Sequence, residues 1–232
     1  MSTKIIVSYD GTANEEDAVA LGQLLGRAGG EVSLAYVRHN PETDSAREQI
    51  AHREAESVLH HGVELLGIPT AERHVIIDRS TPHGLAALAE REGADVIVFC
   101  SDSHTAQGHV AVGNSAQRLL EGGRTAVAVA SVGLAERLEH GGVEKIVAVG
   151  AAEGGARESA QALAKGLGAT VAPVVNNEVD MIVIDSRADA SQGRVSLSSS
   201  AEHLIETATA PVLVVARGVA LTFDDLSAVT AV

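Results

Sequence analysis

The residues best placed to do chemistry lie in a loop that joins a buried strand to a short helix. The apolar strand VIVF is followed by Cys100, and a polar stretch then leads to a helix that starts at Gly113. Phosphate sites at such turns use close backbone N–H groups, a helix N-terminus and a side-chain hydroxyl. The sequence therefore indicates a candidate anion site at Cys100, Ser103, Gly113, Asn114 and Ser115.

This loop belongs to a segment that occurs twice in the chain. Residues 95–130 align without a gap with residues 180–215, so each counterpart lies 85 positions later. Both segments have the pattern of a buried strand, a loop, a helix and a second buried strand, which indicates a duplicated structural unit. Identical counterparts include Ser101 and Ser186, Gln107 and Gln192, Gly108 and Gly193, and Val129 and Val214.

Other groups of reactive residues are weaker candidates. The Asp-Ser-His run 102–104 is contiguous, so it does not form a hydrolase triad by itself. His52 lies about two helical turns from the histidine pair 60–61, so solvated helix histidines are favoured over metal ligands. The helix start near Cys100 favours a lowered thiol pKa, but a passive small residue is the preferred interpretation.

Short apolar runs alternate with helical stretches through the first half. Five strands are predicted by the runs Ile5–Tyr9, Val32–Val37, His74–Ile77, Val96–Phe99 and Ala126–Ala130. Strands that alternate with helices predict a parallel sheet with right-handed crossovers. Ligands of such open α/β sheets bind beyond the carboxyl ends of the strands.

The second half repeats this pattern in a shortened form. Lys145–Val149 matches the first strand, a helix follows over about 156–166, and Val171–Val175 resembles the second strand. A long helix, a strand and a third helix are then missing. Asn176–Asp180 is too short for a crossover between parallel strands. Val171–Val175 is therefore not a parallel strand, or it is very short or antiparallel, and the sequence leaves these options open.

Composition narrows the class of protein. The chain has 232 residues, a formal charge of −14 and 2% aromatic residues, so nucleic acids and anionic membranes are not expected as partners. Its single cysteine excludes an internal disulfide. No signal peptide opens the chain and no apolar run approaches about 20 residues, so we expect a cytoplasmic protein.

The order of elements and several motifs resemble the universal stress protein family. The motifs are the turn Tyr9–Thr12, the Thr81–Pro82 helix start, the ADVIV strand and the loop after it. The resemblance covers nearly all of residues 4–130 and, with a deletion, residues 145–215. It implies an α/β fold with a doubly wound open parallel sheet of strand order 3-2-1-4-5. The fold would be duplicated, with the second copy cut down.

The ATP-binding members of this family carry a glycine motif in the loop after the fourth strand. The motif is glycine, two residues, glycine, nine residues, glycine, and then serine or threonine. Cys100, Ser103, Gly113 and Asn114 hold these positions, so two of the three glycines are lost and asparagine replaces the hydroxyl residue. A domain retained only for its fold would show such losses.

The resemblance also implies adenosine contacts from the first two strands. Asp10 retains the family's acidic residue at the ribose, and the backbone at Val37 corresponds to the adenine contact. In the second copy Asp10 aligns with Ala151, and Asp185 would place a carboxylate against a phosphate. An ATP ligand is therefore expected in the first domain only, if at all, and no metal site is expected.

Three functions follow from these observations. The favoured one is a non-catalytic stress-response scaffold that acts through dimerisation and partner contacts, because the glycine motif has decayed. The alternative is a regulatory protein that binds an adenine nucleotide. A slow nucleotide hydrolase ranks last, since the sequence shows no general base, metal pair or P-loop-type lysine, and we do not expect an enzyme.

The predicted organisation has four segments. Residues 1–131 form an α/β domain, 132–142 a linker, 143–217 a truncated second domain, and 218–232 a tail that packs on an edge or is disordered. The family resemblance implies that the last strand of each copy associates edge to edge. Open apolar edges invite pairing. We expect antiparallel pairing within the chain or across a homodimer, between Val127–Ala130 and Val212–Val215.

Overall fold

The structure is a computed structural model that describes residues 2–12, 14–42, 44–151, 154–176 and 178–223. Within these ranges no helix has both the length and the apolar character needed to cross a bilayer. The described strands are β1 (Lys4–Ser8), β2 (Glu31–Arg38), β3 (Arg73–Ile77), β4 (Val96–Phe99), β5 (Ala126–Val129), β6 (Lys145–Val149), β7 (Thr170–Ala172), β8 (Met181–Asp185) and β9 (Val212–Val215). The described helices are α1 (Glu15–Arg27), α2 (Ser45–Leu66), α3 (Thr81–Glu92), α4 (Asn114–Leu120), α5 (Leu134–His140), α6 (Gly155–Leu167) and α7 (Ser199–Glu206).

The described strands form one nine-stranded sheet in the order β3-β2-β1-β4-β5-β9-β8-β6-β7. Neighbouring strands are parallel except for β5 and β9. The predicted doubly wound sheet with order 3-2-1-4-5 is confirmed in the first copy. Counted by its own strands, the second copy has the order 2-1-4-5, and the described residues between β7 and β8 contain no counterpart of the third strand.

Apolar residues on both faces of the strands form the core. Along β4 the alternate residues Val96 and Val98 pack with α1, whereas Ile97 packs on the opposite face with α3 and α4. Both core layers continue through the second copy, where Val183 and Ile182 take the same two faces. Near-continuous Val, Ile and Ala runs are typical of parallel strands covered on both faces.

The strand β7 settles the connection that the sequence left open. It is parallel to β6 and only three residues long. β8 lies on the other side of β6, also parallel. The connection formed by residues 173–180 has to cover two strand spacings across the sheet, which is about 10 Å. It also has to run back along the short length of β7. Eight residues reach up to about 27 Å, so the shortness of β7 makes the connection possible.

Part of the segment expected to be a linker, Leu134–His140, forms helix α5 and packs against α1. Its Leu134 is fully buried. The buried Asp17 carboxylate accepts hydrogen bonds from the N–H groups of Gly133 and Ala135, both at 2.8 Å. The acidic side chain therefore fixes the start of a helix 116 residues further along the chain.

Asp17→Ala is expected to lower the free energy of unfolding by roughly 2–4 kcal/mol, because two N–H groups would lose their acceptor in a buried site. Urea unfolding measures this change. The matched control is Glu16→Ala, since Glu16 is the exposed neighbour on the same turn. Equal, small losses for the two variants would contradict the structural role given to Asp17.

The described part of the predicted tail packs on the body of the protein. Leu221 and Phe223 are buried in the core layer that contains α1 and α6. The Thr3 N–H donates to the Thr222 carbonyl at 3.0 Å, next to the start of β1. The remainder of the tail, 224–232, lies outside the described residues.

The predicted antiparallel pairing of the two terminal strands is confirmed within the chain. β5 also pairs with β4, and β9 with β8, so neither strand retains an open edge. Of the two options, the structure shows pairing within the chain, with β9 of the second copy at the edge of β5. The register joins Val127 with Val214, Ala128 with Leu213 and Val129 with Val212.

This pairing has approximate two-fold symmetry. The central pair of the register joins two residues that are counterparts in the repeat, 85 positions apart. Outside the strands, the Val110 N–H donates to the Ala208 carbonyl at 3.1 Å. The counterpart bond runs from the Val195 N–H to the Gly123 carbonyl at 2.8 Å. Reciprocal contacts of this kind define an isologous interface, so the chain contains a dimer-like contact between its own two copies.

Candidate functional site

The topology brings three predicted site residues to one edge of the sheet. Asp10, Val37 and Cys100 lie at or just beyond the carboxyl ends of β1, β2 and β4, and β1 is the middle strand of these three. The loops that follow β1 and β4 touch, because Asn14 Nδ2 donates to the Asp102 carbonyl at 3.4 Å. This edge is the place where an open α/β sheet accepts a ligand.

A buried carboxylate occupies the loop that follows β1. Glu15 Oε2 accepts hydrogen bonds from the N–H groups of Asp10, Gly11 and Thr12 at 2.5, 2.6 and 3.3 Å. Gly11 has φ +79°, which lets successive N–H groups converge on one acceptor. Glu15 belongs to the first turn of α1 and is only 6% exposed. The N–H groups of the loop that would contact a ribose are thus already bonded to a carboxyl group of the chain itself.

Burial raises the pKa of the Glu15 carboxyl to about 8, and the nearby Asp10 carboxylate adds to the rise. The backbone N–H bonds act in the opposite direction. Sequence reasoning missed this residue, because an acidic residue in the first turn of a helix is common and has an ordinary explanation in the helix dipole.

Cys100 is an unreactive thiol. Burial raises its pKa to about 12, and the carboxylates of Glu15 and Asp10 contribute further. At neutral pH the side chain is therefore protonated, and the start of the short helix α4 does not reverse this effect. Its Cβ also takes the place where the family motif has a glycine.

An ion pair links the end of β2 to helix α2. Arg38 makes two hydrogen bonds to Glu48 of α2, at 2.6 and 3.1 Å. The bond to Arg38 lowers the pKa of the Glu48 carboxyl to about 2. Val37 is buried, and a Cβ placed on Gly84 of α3 would lie 3.3 Å from its side chain. These contacts hold the segment to which the resemblance assigns adenine, and sequence analysis did not single them out.

Two of the predicted phosphate residues, Gly113 and Asn114, lie at the start of α4. Gly113 precedes α4, and a Cβ placed there would meet nothing within 4 Å. Gly113 and Asn114 line an open cavity of about 570 Å³ that also includes Asp102, His104 and Glu206 of α7. Asp10, Val37 and Cys100 are not among the residues that line it. Asp102 lines this cavity and its carbonyl also accepts from Asn14, so the cavity adjoins the loop that follows β1.

The other two predicted phosphate residues, Ser103 and Ser115, differ in exposure. Ser103 Oγ lies 3.2 Å from His104 Nδ1, and both are exposed. Asp102 accepts the backbone N–H of His104 rather than a ring N–H. The run 102–104 therefore lacks the relay of a hydrolase. Ser115 lies in the first turn of α4, half-buried.

In the second copy the carboxylate of Asp185 accepts hydrogen bonds from the N–H groups of the loop that follows β6. Its carboxylate accepts the N–H of Ala156 at 2.8 Å and that of Ala151 at 3.2 Å, at the start of α6. A Cβ on Gly150 or Gly154 would collide with this carboxylate, so the loop requires both glycines for the close approach. In each copy a carboxyl group thus accepts N–H groups of the loop after the first strand. Glu15 directly follows that loop in the sequence, whereas Asp185 comes from the end of β8.

A cavity of about 540 Å³ opens above Asp185 and is lined in part by Arg187 and Arg217. These cations already have partners. Arg187 Nε lies 3.3 Å from the Asp189 carboxylate, and Arg217 donates to the Ala190 carbonyl. An incoming phosphate would face the Asp185 carboxylate at the base of the cavity, which repels it.

The histidines of α2 pair with glutamates on the surface. His52 lies 3.9 Å from Glu56, while His60 and His61 each lie 3.6 Å from Glu64. Within the described ranges, no group of three or more His, Cys, Asp or Glu side chains has a geometry suited to a metal ion.

Two identical residues of the repeat prove to be structural. Ser101 Oγ donates to the Ala130 carbonyl at 2.6 Å and accepts the Ala111 N–H at 3.0 Å. Ser186 makes the same two bonds with the counterparts of those residues, at 2.7 and 3.1 Å. Both serines are buried, and each ties the loop after the fourth strand of its copy to the end of the fifth.

Ser101→Ala and Ser186→Ala are each expected to cost roughly 1–3 kcal/mol of unfolding free energy, since a buried N–H and a carbonyl lose their partner. The two serines are far apart, so the double variant should lose the sum of the single losses. Chemical denaturation of the three variants tests this. A neutral result for either serine would show that the repeated bonds are not needed in both copies.

Comparisons with known proteins agree with this architecture. The family model described as "Universal stress protein family" matches residues 1–131. No curated protein sequence matches the chain. A universal stress protein structure from Archaeoglobus fulgidus DSM 4304 is similar with a TM-score of 0.69 at 16% identity, covering 94% of this chain and 100% of that one.

Two structures from Pseudomonas aeruginosa are similar at 14% identity. A putative universal stress protein from strain UCBPP-PA14 has a TM-score of 0.62 and covers 94% of both chains. A functionally unknown protein from strain PAO1 has a TM-score of 0.61, with 98% of this chain and 95% of that chain covered. At such identities these likenesses show the fold alone. The family model spans more than half of the chain and the sheet order is the expected one, so the chain belongs to the universal stress protein family.

Proposed function

We propose that this chain is a non-catalytic cytoplasmic scaffold of the stress response that acts through partner contacts. Its dimer-like assembly is built within one chain, with residues 1–131 and 143–217 as the two units and 132–142 between them. The observation that carries the proposal is that internal carboxylates, Glu15 and Asp185, accept the N–H groups of the first loop in both copies. A nucleotide would have to displace these internal acceptors, and in the second copy it would also meet the charge of Asp185.

Electrostatics near the first-copy loop support the same interpretation. The exposed Asp10 carboxylate lies close enough to the end of β4 to add, after burial and Glu15, to the raised pKa of Cys100. Asp102 follows two residues later. A triphosphate placed beside these groups would be repelled, and the decayed glycine motif provides fewer close N–H groups to offset the repulsion.

A second candidate function is adenine-nucleotide regulation through the first copy alone. The exposed Asp10 side chain and the unobstructed start of α4 at Gly113 favour it. Slow hydrolysis of that nucleotide is a weaker extension of the same idea. Neither requires the second copy, where Ala151 replaces the acidic residue.

Thermal unfolding of the full chain with and without millimolar ATP and magnesium distinguishes the two functions. The scaffold proposal expects an unchanged Tm, because only a ligand that binds the native state raises it. A rise in Tm, with calorimetry showing one site per chain, would instead support the nucleotide function. In that case Asp10→Ala and Gly113→Val should abolish the rise. Ser198→Val, the counterpart of Gly113→Val in the second copy, should leave it intact.

A further inference from the structure

A groove lies where the two copies meet, on the sheet face covered by α3, α4 and α7. Its volume is about 500 Å³, within the range of cavities that hold small organic ligands. The lining includes Val112 with its counterpart Leu197, and Gln117 with its counterpart Glu202. The groove therefore straddles the approximate two-fold axis and exists only because the two copies are joined.

The floor of this groove, the axial groove, is apolar and already formed. Val110 and Ile205 are each 3% exposed, and both belong to the core layer of this face. Val112 and Leu197 pack against the same layer. The backbone bond from Val110 to Ala208, at 3.1 Å, ties one wall to the other copy. Because backbone bonds fix the walls, a ligand would not have to order them on binding.

The rim of the axial groove is acidic. Glu202 and Glu206 lie one turn apart on α7, and both line the groove and are exposed. Among the described residues that line it, none is a lysine or an arginine. The adjoining cavity of about 570 Å³ shares Val110–Val112 and Glu206 with it, and adds Asp102 and two histidines. It also contains the Thr105 hydroxyl, which is buried without a hydrogen-bond partner in the described part of the chain.

We propose that the axial groove binds a small organic amine, namely an apolar body that carries a primary ammonium group. The apolar floor accepts the body, and the carboxylates of Glu202 and Glu206 accept the ammonium hydrogens. An anionic ligand would meet the like charges of Glu202 and Glu206, and the ring of His203 lies beside Glu206 at 3.8 Å. A quaternary ammonium is less suited, because its recognition relies on aromatic rings and no aromatic residue lines the groove in the described ranges.

Fluorescence titration of the full chain with dansylcadaverine tests the proposal. This probe combines an apolar fluorophore with a primary amine, and N-pentyldansylamide is the matched probe without the amine. We expect saturable binding of dansylcadaverine. The double substitution Glu202→Gln and Glu206→Gln should weaken it by about 3- to 10-fold, as expected for two partly exposed ion pairs. The neutral probe should bind equally to the parent and the variant.

The matched control is the double variant Glu54→Gln and Glu139→Gln. These exposed glutamates lie on α2 and α5, away from the groove, and their loss changes the net charge by the same amount. The control should bind dansylcadaverine like the parent. The proposal is overturned if dansylcadaverine shows no saturable binding at up to millimolar concentration. It is equally overturned if the groove variant binds it like the parent, or if the control weakens it as much.

Discussion

A chain that ends at His140 is expected to dimerise or aggregate, although the full chain covers the same edge internally. Truncation removes β9 and leaves β5 as an open edge with four apolar residues, AVAV. An open, flat, apolar edge is a template for pairing with another chain. In the full chain β5 pairs antiparallel with β9, its counterpart in the second copy. β5 of a second truncated chain can therefore take the place of β9 through the same two-fold relation.

Sedimentation measured over a range of concentrations provides the test. The truncation retains α5, so the bonds from Asp17 to the start of that helix are preserved. The control is the full chain over the same concentrations, because β9 covers β5 there. It should associate less than the truncated chain. A truncated chain that is monomeric and soluble at several hundred micromolar would refute the role given to β9.

Rising pH is expected to destabilise the protein through Glu15. Its pKa is raised from 4.5 to about 8 in the folded state, with burial as the main cause. Below about pH 4.5 the carboxyl is protonated in both the folded and the unfolded state, so it adds nothing to the pH dependence of the free energy of unfolding. Between about pH 4.5 and 8 the unfolded chain has released the proton and the folded chain still holds it, so the free energy of unfolding falls. The slope is up to roughly 1.4 kcal/mol per pH unit, and it ends above about pH 8.

Glu15→Gln isolates this effect because it removes the titration and keeps the shape. Urea unfolding at about pH 5.5 and about pH 8.5 should show the variant gaining stability relative to the parent as the pH rises. Glu16→Gln, the exposed neighbour, should show no such trend. A trend of the opposite sign would mean that the three N–H bonds prevail over burial and that Glu15 is ionised in the native protein.

The first half of the fold was predictable because its signals are local or repeated. Each strand there is a short apolar run, and the gapless repeat placed β8, α7 and β9 without any further argument. The helix α5 was missed because it has only seven residues, a single fully buried apolar position at Leu134, and glycines on both sides. Such a segment has too little periodicity to be distinguished from a charged linker.

The candidate site was predictable only as a location. The residues that decide its chemistry act across long sequence separations or through burial. Asp185 reaches a loop about 30 residues earlier, and the Glu15 carboxyl has a raised pKa because the core buries it and the Asp10 carboxylate lies nearby. The resemblance suggested that Asp185 would repel a phosphate. It gave no indication that the carboxylate would accept N–H groups from the loop after β6.

The pairing of β5 with β9 also has a consequence for synthesis on the ribosome. β9 follows β5 by 85 residues, so at about 5–20 residues per second the nascent first copy waits roughly 4–17 s for its partner strand. During that interval two nascent chains on one message can pair β5 with β5. Each second copy, once complete, would then find its place taken and would have to displace the other chain. The speed of translation through residues 131–215 thus helps to decide whether the product is a single chain or an entangled pair.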